Sequence, residues 1–154
     1  MRISKILFSL LLLATLVFAA DPMVGTWVLN AAKTKYTTGA PPKGATITVS
    51  EAGTNIDLVV KGTTSDGKAY NAHYTVPAGG GVGKVIEANP ATYDGVSGKR
   101  TSDTDRETTF MKGGKSLYTA HTMVAMDGKS MSVMVKGTNV AGQNVEGTAF
   151  YDKK

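Results

Sequence analysis

Hydrophobic and polar residues alternate with a period of two along most of this chain. Ile56, Leu58 and Val60 alternate with Asn55, Asp57, Val59 and Lys61. Tyr70, Ala72, Tyr74 and Val76 alternate with Ala69, Asn71, His73 and Thr75. Met131, Val133 and Val135 alternate with Ser130, Ser132, Met134 and Lys136. Such a period puts one set of side chains on each face of a strand, as in a half-buried antiparallel sheet. The punctuation agrees: Asp66-Gly67 and Asp127-Gly128 are hairpin turn pairs, and Gly53, Gly113-Gly114 and Ala141-Gly142 mark further turns. The pattern predicts strands over 24–30, 45–51, 55–63, 69–76, 96–102, 106–112, 116–126, 129–138 and 144–152, with a weaker one at 84–87. Residues 31–36 have room for one helical turn, and no longer helix is predicted. Pro77, four glycines between 79 and 83, and Asn89-Pro90 make 77–95 a predicted irregular Gly/Pro-rich loop, either a cover for one end of the fold or a solvated linker.

Nine short strands joined by short turns predict an all-β domain, an antiparallel up-and-down meander. Closing the meander into a barrel of about 8–10 strands removes its exposed edges. A two-sheet sandwich uses strands of the same length and spacing. Residues 46–67 also align with 121–142, sharing Val49/Val124, Gly53/Gly128, Val60/Val135, Lys61/Lys136, Gly62/Gly137, Thr63/Thr138 and Gly67/Gly142. One hairpin plan is used twice, whether by duplication or by convergence.

The N-terminus reads differently. Arg2 and Lys5 precede 13 uncharged, Leu-rich positions from Ile6 to Phe18, and Val17-Phe18-Ala19 fits a cleavage site. Thirteen apolar residues reach only about 20 Å as a helix, short of a bilayer core of about 30 Å. Residues 1–20 are therefore expected to be a secretory signal peptide, and 21–154 a single exported domain, periplasmic or extracellular, without membrane insertion.

Composition narrows the chemistry. Hydrophobic residues make up 42% of the 154 and charged residues 19%, enough to bury a core. The absence of cysteine excludes disulfides, thiolate metal sites, a thiol nucleophile and a lipid-anchored N-terminal Cys. The net charge of +5 falls to +3 without Arg2 and Lys5, and the remaining lysines are scattered, which does not make a nucleic-acid stripe. Gly79 to Lys84 lacks the spacing and the following Ser or Thr of a phosphate loop, and Gly95-Val96-Ser97-Gly98 lacks the spacing of a nucleophile elbow. Asp103, Asp105 and Glu107 have the alternation of a calcium loop but not its glycine, and read as a polar turn. His73 and His121 have no third metal ligand in view. No catalytic residue, metal or cofactor is expected.

One motif stands above this background. Gly25-Thr26-Trp27 opens the first strand as Val24-Gly25-Thr26-Trp27-Val28-Leu29-Asn30; Lys33-Thr34-Lys35-Tyr36 and Pro41-Pro42-Lys43 follow; and the last strand closes in Tyr151-Asp152-Lys153. This pattern resembles the small secreted bacterial lipocalin-like proteins of the calycin superfamily. The resemblance implies a β-barrel with an apolar interior, Trp27 plugging one end, and a basic side chain over its ring. Arg100 and Arg106 are candidates for that role. It lends no ligand and no catalytic residue.

Three functions are open to such a chain. The first is a non-catalytic binding protein holding a small apolar or amphipathic ligand, with Trp27, Leu58, Val60, Tyr70, Tyr74, Met131, Val133 and Val135 as expected lining. Leu29, Ile47, Val49 and Ile56 also point inward on the pattern, and Met123, Met126, Met131 and Met134 offer an adaptable lining or a solid core filling. The second is a structural or interaction protein of the envelope or extracellular space, or an inhibitor, with a solid core. The third is an enzyme, for which the residues give no support. An open cavity inside the barrel separates the first from the second.

Overall fold

The computed structural model describes residues 20–154, so the predicted leader lies, apart from Ala20, outside the described residues. Twelve strands follow in order: β1 (Gly25–Leu29), β2 (Lys35–Thr38), β3 (Gly44–Ala52), β4 (Asn55–Thr63), β5 (Ala69–Pro77), β6 (Gly80–Val82), β7 (Lys84–Asn89), β8 (Gly95–Arg100), β9 (Asp105–Lys112), β10 (Lys115–Val124), β11 (Ser130–Thr138) and β12 (Asn144–Lys153). Every pairing is antiparallel, in the order β6-β8-β9-β10-β11-β12-β1-β3-β4-β5-β7, with β2 beside β12. The nine main strands lie within two residues of the predicted boundaries. Alternation is enough to place them because each buries one face only.

The differences from the pattern lie at the seams. β1 and β2 share one edge of β12: β1 pairs with 151–153 and β2 with 146–148. Between them the chain makes a hydrogen-bonded turn, with Lys33 N–H and Thr34 N–H both donating to Asn30 O. Thr34 Oγ1 then accepts from Phe150 N–H, filling the gap in the ladder. The segment 77–95 is not the irregular loop expected, because it carries β6 and β7. β6 pairs with β8, β7 pairs with β5, and Gly83 alone separates them. The chain thus steps from one edge of the sheet to the other and nearly closes the barrel. Gly83 N–H donates to Val96 O at 2.9 Å. A Cβ on Gly83 would collide with the Thr75 carbonyl oxygen and with Val76, so only glycine fits where the two edges meet.

One end of the barrel is packed solid. Trp27 is fully buried, with Met23, Val49, Ile56, Val96 and Met131 among its fellow core residues. Its indole N–H donates to Met23 O at 2.8 Å, so the chain before β1 folds over the end and satisfies the one polar atom of the ring. Lys153 Nζ stands 5.0 Å from the ring centroid, a cation–π contact. Its stem crosses Gly25, which takes a φ of 139° that side chains rarely adopt, and this explains the Gly in Gly-x-Trp. Asn30 Nδ2 donates to Asp152 at 2.7 Å, and Lys33 Nζ lies 3.7 Å from the same carboxylate. The first and last motifs of the sequence therefore meet in one place.

The basic residue over the ring is thus Lys153, and neither Arg100 nor Arg106. Arg100 pairs with Asp103 at 2.7 Å. The Arg106 guanidinium is buried, donating to the Asp21 carboxylate and to Ala78 O. The expected methionine lining is also corrected. Met131 is core, but Met123, Met126 and Met134 are exposed. Met134 has the opposite parity to Met131, Val133 and Val135, so the same alternation that buries those three turns it outward.

Candidate functional site

Above the packed end the interior opens into a cavity of about 450 Å³. Its mouth is framed by connections at the end opposite Trp27: Ala40 and Pro42 between β2 and β3, Thr64 and Ser65 between β4 and β5, Pro90 and Thr92 between β7 and β8, and Asn139 between β11 and β12. The interior is therefore neither wholly filled nor wholly open. Small inward residues make the difference, since Ala72 and Ala120 line the cavity where bulkier side chains would close it.

All six tyrosines of the chain, Tyr36, Tyr70, Tyr74, Tyr93, Tyr118 and Tyr151, line this cavity. None of its 22 lining residues is Asp, Glu, Lys, Arg or His. Phe110 joins the rings into a cluster: it lies edge-on to Tyr74 with centroids 5.4 Å apart, edge-on to Tyr93 at 4.8 Å, and stacked on Tyr118 at 4.7 Å. These rings come from β5, the β7–β8 connection, β9 and β10. They bridge the seam where β7 and β8 run past each other without a ladder among the described residues.

Three tyrosines sit opposite glycines. Tyr70 pairs across strands with Gly62, Tyr118 with Gly137 and Tyr36 with Gly147. A Cβ on Gly62 would lie 2.5 Å from Tyr70 Cζ, and one on Gly147 would run into the Tyr36 ring. The rings of Tyr70 and Tyr36 therefore lie across the backbone of their neighbours, whereas at Gly137 it is the backbone of Leu117 and Tyr118 that comes close. A bulge between Ser116 and Tyr118 brings Tyr118 into this arrangement. Gly62 and Gly137 are the glycines of the two Val-Lys-Gly-Thr copies in the internal repeat. The other repeated glycines also share their roles: Gly53 and Gly128 take positive φ of 64° and 66° in their hairpin turns, and Gly67 and Gly142 take 90° and 77° in the next.

Burial raises the pKa of every one of these phenols and so suppresses their ionisation. Tyr70 and Tyr93 are pushed up to about 12, and Tyr74, Tyr118 and Tyr151 further still, with Tyr36 moved in the same direction. Neighbouring phenols add to the effect for Tyr70, Tyr74, Tyr118 and Tyr151, which places them close together. All six stay protonated at neutral pH. No tyrosine hydroxyl is hydrogen-bonded to another protein group among the described residues, and none is completely sealed in the wall. The cavity thus offers a set of neutral, unengaged O–H groups on apolar walls.

Of the eight expected site residues, the structure brings Val60, Tyr70, Tyr74, Val133 and Val135 to the cavity. Trp27, Leu58 and Met131 do face inward, but they belong to the core and not to the lining. The sequence pattern does not single out Tyr36, Tyr93, Tyr118, Tyr151 or Phe110, which also line the cavity. A signal was present for two of them: Tyr118 and Tyr151 hold the same strand parity as the small inward residues Ala120 and Ala149.

The remaining candidate groups are on the outer face. His73 Nε2 lies 2.8 Å from Asp57 Oδ1, and His121 Nε2 lies 2.5 Å from Asp105 Oδ1, each pair joining neighbouring strands. Asp103 and Asp105 are thereby held by Arg100 and His121, and do not converge with Glu107, which pairs across strands with Lys99. Comparisons of the chain with protein-family models, with curated proteins and with solved structures gave no match. Fold and site together define an antiparallel β-barrel with one end plugged by a tryptophan and the other half hollow.

Proposed function

We propose that this barrel is an exported, non-catalytic binding protein that holds a small apolar or amphipathic molecule in its interior, as the lipocalin-like resemblance of its terminal motifs implies. One observation carries the proposal: a cavity of about 450 Å³, open at one end and lined mostly by rings and aliphatic side chains, with a few Ser, Thr and Asn and without a single charge. Its size and character match small-molecule pockets, which are mostly apolar with a few polar groups. The lining holds no Asp, Glu, His or Lys for proton transfer and no activated nucleophile, which supports binding without covalent chemistry. Export rests on the leader in residues 1–20.

The test is native mass spectrometry of protein recovered from its own host, with the intact mass read in the same spectrum, followed by a thermal-shift screen of lipids, pigments and isoprenoids. A co-purifying small molecule on a chain shortened by about 20 residues supports the proposal. An empty protein that no compound stabilises would replace it with a structural or interaction protein acting through its outer surface.

A further inference from the structure

We propose that the ligand is an uncharged molecule with a flat, unsaturated body and carbonyl-type oxygens, gripped by the tyrosine hydroxyls of the cavity. This inference rests on the binding reading above and adds the chemical class of the ligand. A phenol carries one O–H donor, and a buried polar group left without a partner costs stability. The wall's own side-chain acceptors are Thr64, Ser65, Asn71, Asn89, Thr92 and Asn139, and none of them bonds a tyrosine hydroxyl among the described residues, while the backbone carbonyls of the strands are engaged in the ladders. Among the described residues no tyrosine hydroxyl donates to another. Six donors around one space therefore call for acceptors on whatever fills it.

Charge restricts the class further. The nearest acceptor-rich alternative is a carboxylate, but no lysine, arginine or histidine lines the cavity to balance it. An anion stripped of water there would meet only neutral dipoles. The phenols cannot supply charge of their own at neutral pH, since burial holds them protonated. Shape supplies the last element. Tyr74, Tyr93, Phe110 and Tyr118 pack on one another with centroids 4.7–6.4 Å apart, and all four line the cavity, so another flat ring can stack against the cluster from the cavity side.

Three probes of one skeleton test this: naphthalene, 2-acetylnaphthalene and 2-naphthoate, measured by equilibrium dialysis against the folded protein at neutral pH. The ketone is expected to bind about threefold to tenfold more tightly than the hydrocarbon, the yield of one net hydrogen bond, and the carboxylate more weakly than the ketone by at least about tenfold. Acidification through the carboxylate's own pKa should recover its binding. The Tyr118→Phe/Tyr151→Phe double variant should erase the ketone's advantage while leaving the hydrocarbon's affinity in place. Its circular dichroism and melting point check that it folds, and single Tyr→Phe variants at the same positions replace it if it does not. Equal binding of hydrocarbon and ketone, or tightest binding of the carboxylate, overturns the inference and leaves the binding reading standing. No binding of any probe, together with an empty protein from the host, overturns both.

Discussion

Replacing Trp27 by Ala tests whether the packed end of the barrel holds the fold. The ring is fully buried, and removal of an aromatic side chain from a packed core costs about 3–5 kcal/mol. Two further contacts push the value to the upper end. The indole N–H bond to Met23 O, at 2.8 Å and buried, contributes about 1 kcal/mol, and its loss leaves the carbonyl unpaired. The ammonium of Lys153 over the ring contributes about 0.5–1 kcal/mol at an exposed site. The expected loss is therefore about 5 kcal/mol for Trp27→Ala, a large share of the 5–15 kcal/mol of an ordinary domain. Trp27→Phe keeps most of the ring but loses the N–H, and should cost about 1–2 kcal/mol. Lys153→Met keeps the stem across Gly25 but loses the charge, and should cost less than about 1 kcal/mol. Urea unfolding followed by far-ultraviolet circular dichroism measures all three, because the chain's one tryptophan cannot serve as a fluorescence probe of its own removal. If Trp27→Ala fails to fold, the ordering of the other two still tests the geometry. A loss below about 1 kcal/mol for Trp27→Ala would refute the reasoning.

Other consequences can be measured on the same protein. The phenols ionise above their ordinary value of 10 in the folded state, so folding holds protons that the unfolded chain releases. Stability from this source is complete below pH 10 and falls as pH rises through about 12, where Tyr70 and Tyr93 ionise. The more deeply buried Tyr74, Tyr118 and Tyr151, held protonated further still, steepen the fall in that window. Phenolate absorbance should therefore rise together with loss of the fold, and a free titration of the native protein near pH 10 would contradict it. Gly62→Ala should cost about 1–3 kcal/mol, since the new methyl meets Tyr70 at 2.5–2.6 Å and drives its ring into the cavity; melting temperature checks the cost. Asp21→Ala leaves the buried Arg106 guanidinium without its counter-charge, both side chains being under 10% exposed, and should cost about 3–5 kcal/mol. An Asp21→Leu/Arg106→Met double variant should lose much less, as chemical denaturation of the two can show.

How much of this was legible beforehand can be judged strand by strand. Ile56, Leu58 and Val60 on β4, and Met131, Val133 and Val135 on β11, were placed on the inner face by parity alone. A strand that buries one face writes its orientation into every second residue, and a slip by one would invert it. The hairpin glycines at 53 and 128 were legible for a similar local reason: a tight turn needs a backbone that side chains resist. The outward position of Met134 was equally legible, although its sulfur suggested a lining.

Contacts across the barrel were not written in any local period. Lys153 reaches Trp27 only because β12 and β1 pair at the point of closure, some 126 residues apart along the chain. On sequence alone, without the register, Arg100 and Arg106 are equally suitable. β6 and β7 escaped the alternation rule because Gly80 to Gly83 carries almost no side chains to alternate, and Gly83 has its role from the two edges that converge on it. The convergence of all six tyrosines on one space has the same origin. Parity points Tyr70, Tyr74, Tyr118 and Tyr151 inward, but nothing within any one stretch says which other rings each will meet. Strand order, the bulge before Tyr118 and the glycines across from Tyr36, Tyr70 and Tyr118 bring them together. Parity is a property of neighbours in the chain, whereas a cavity is a property of residues that share no neighbourhood until the sheet has closed.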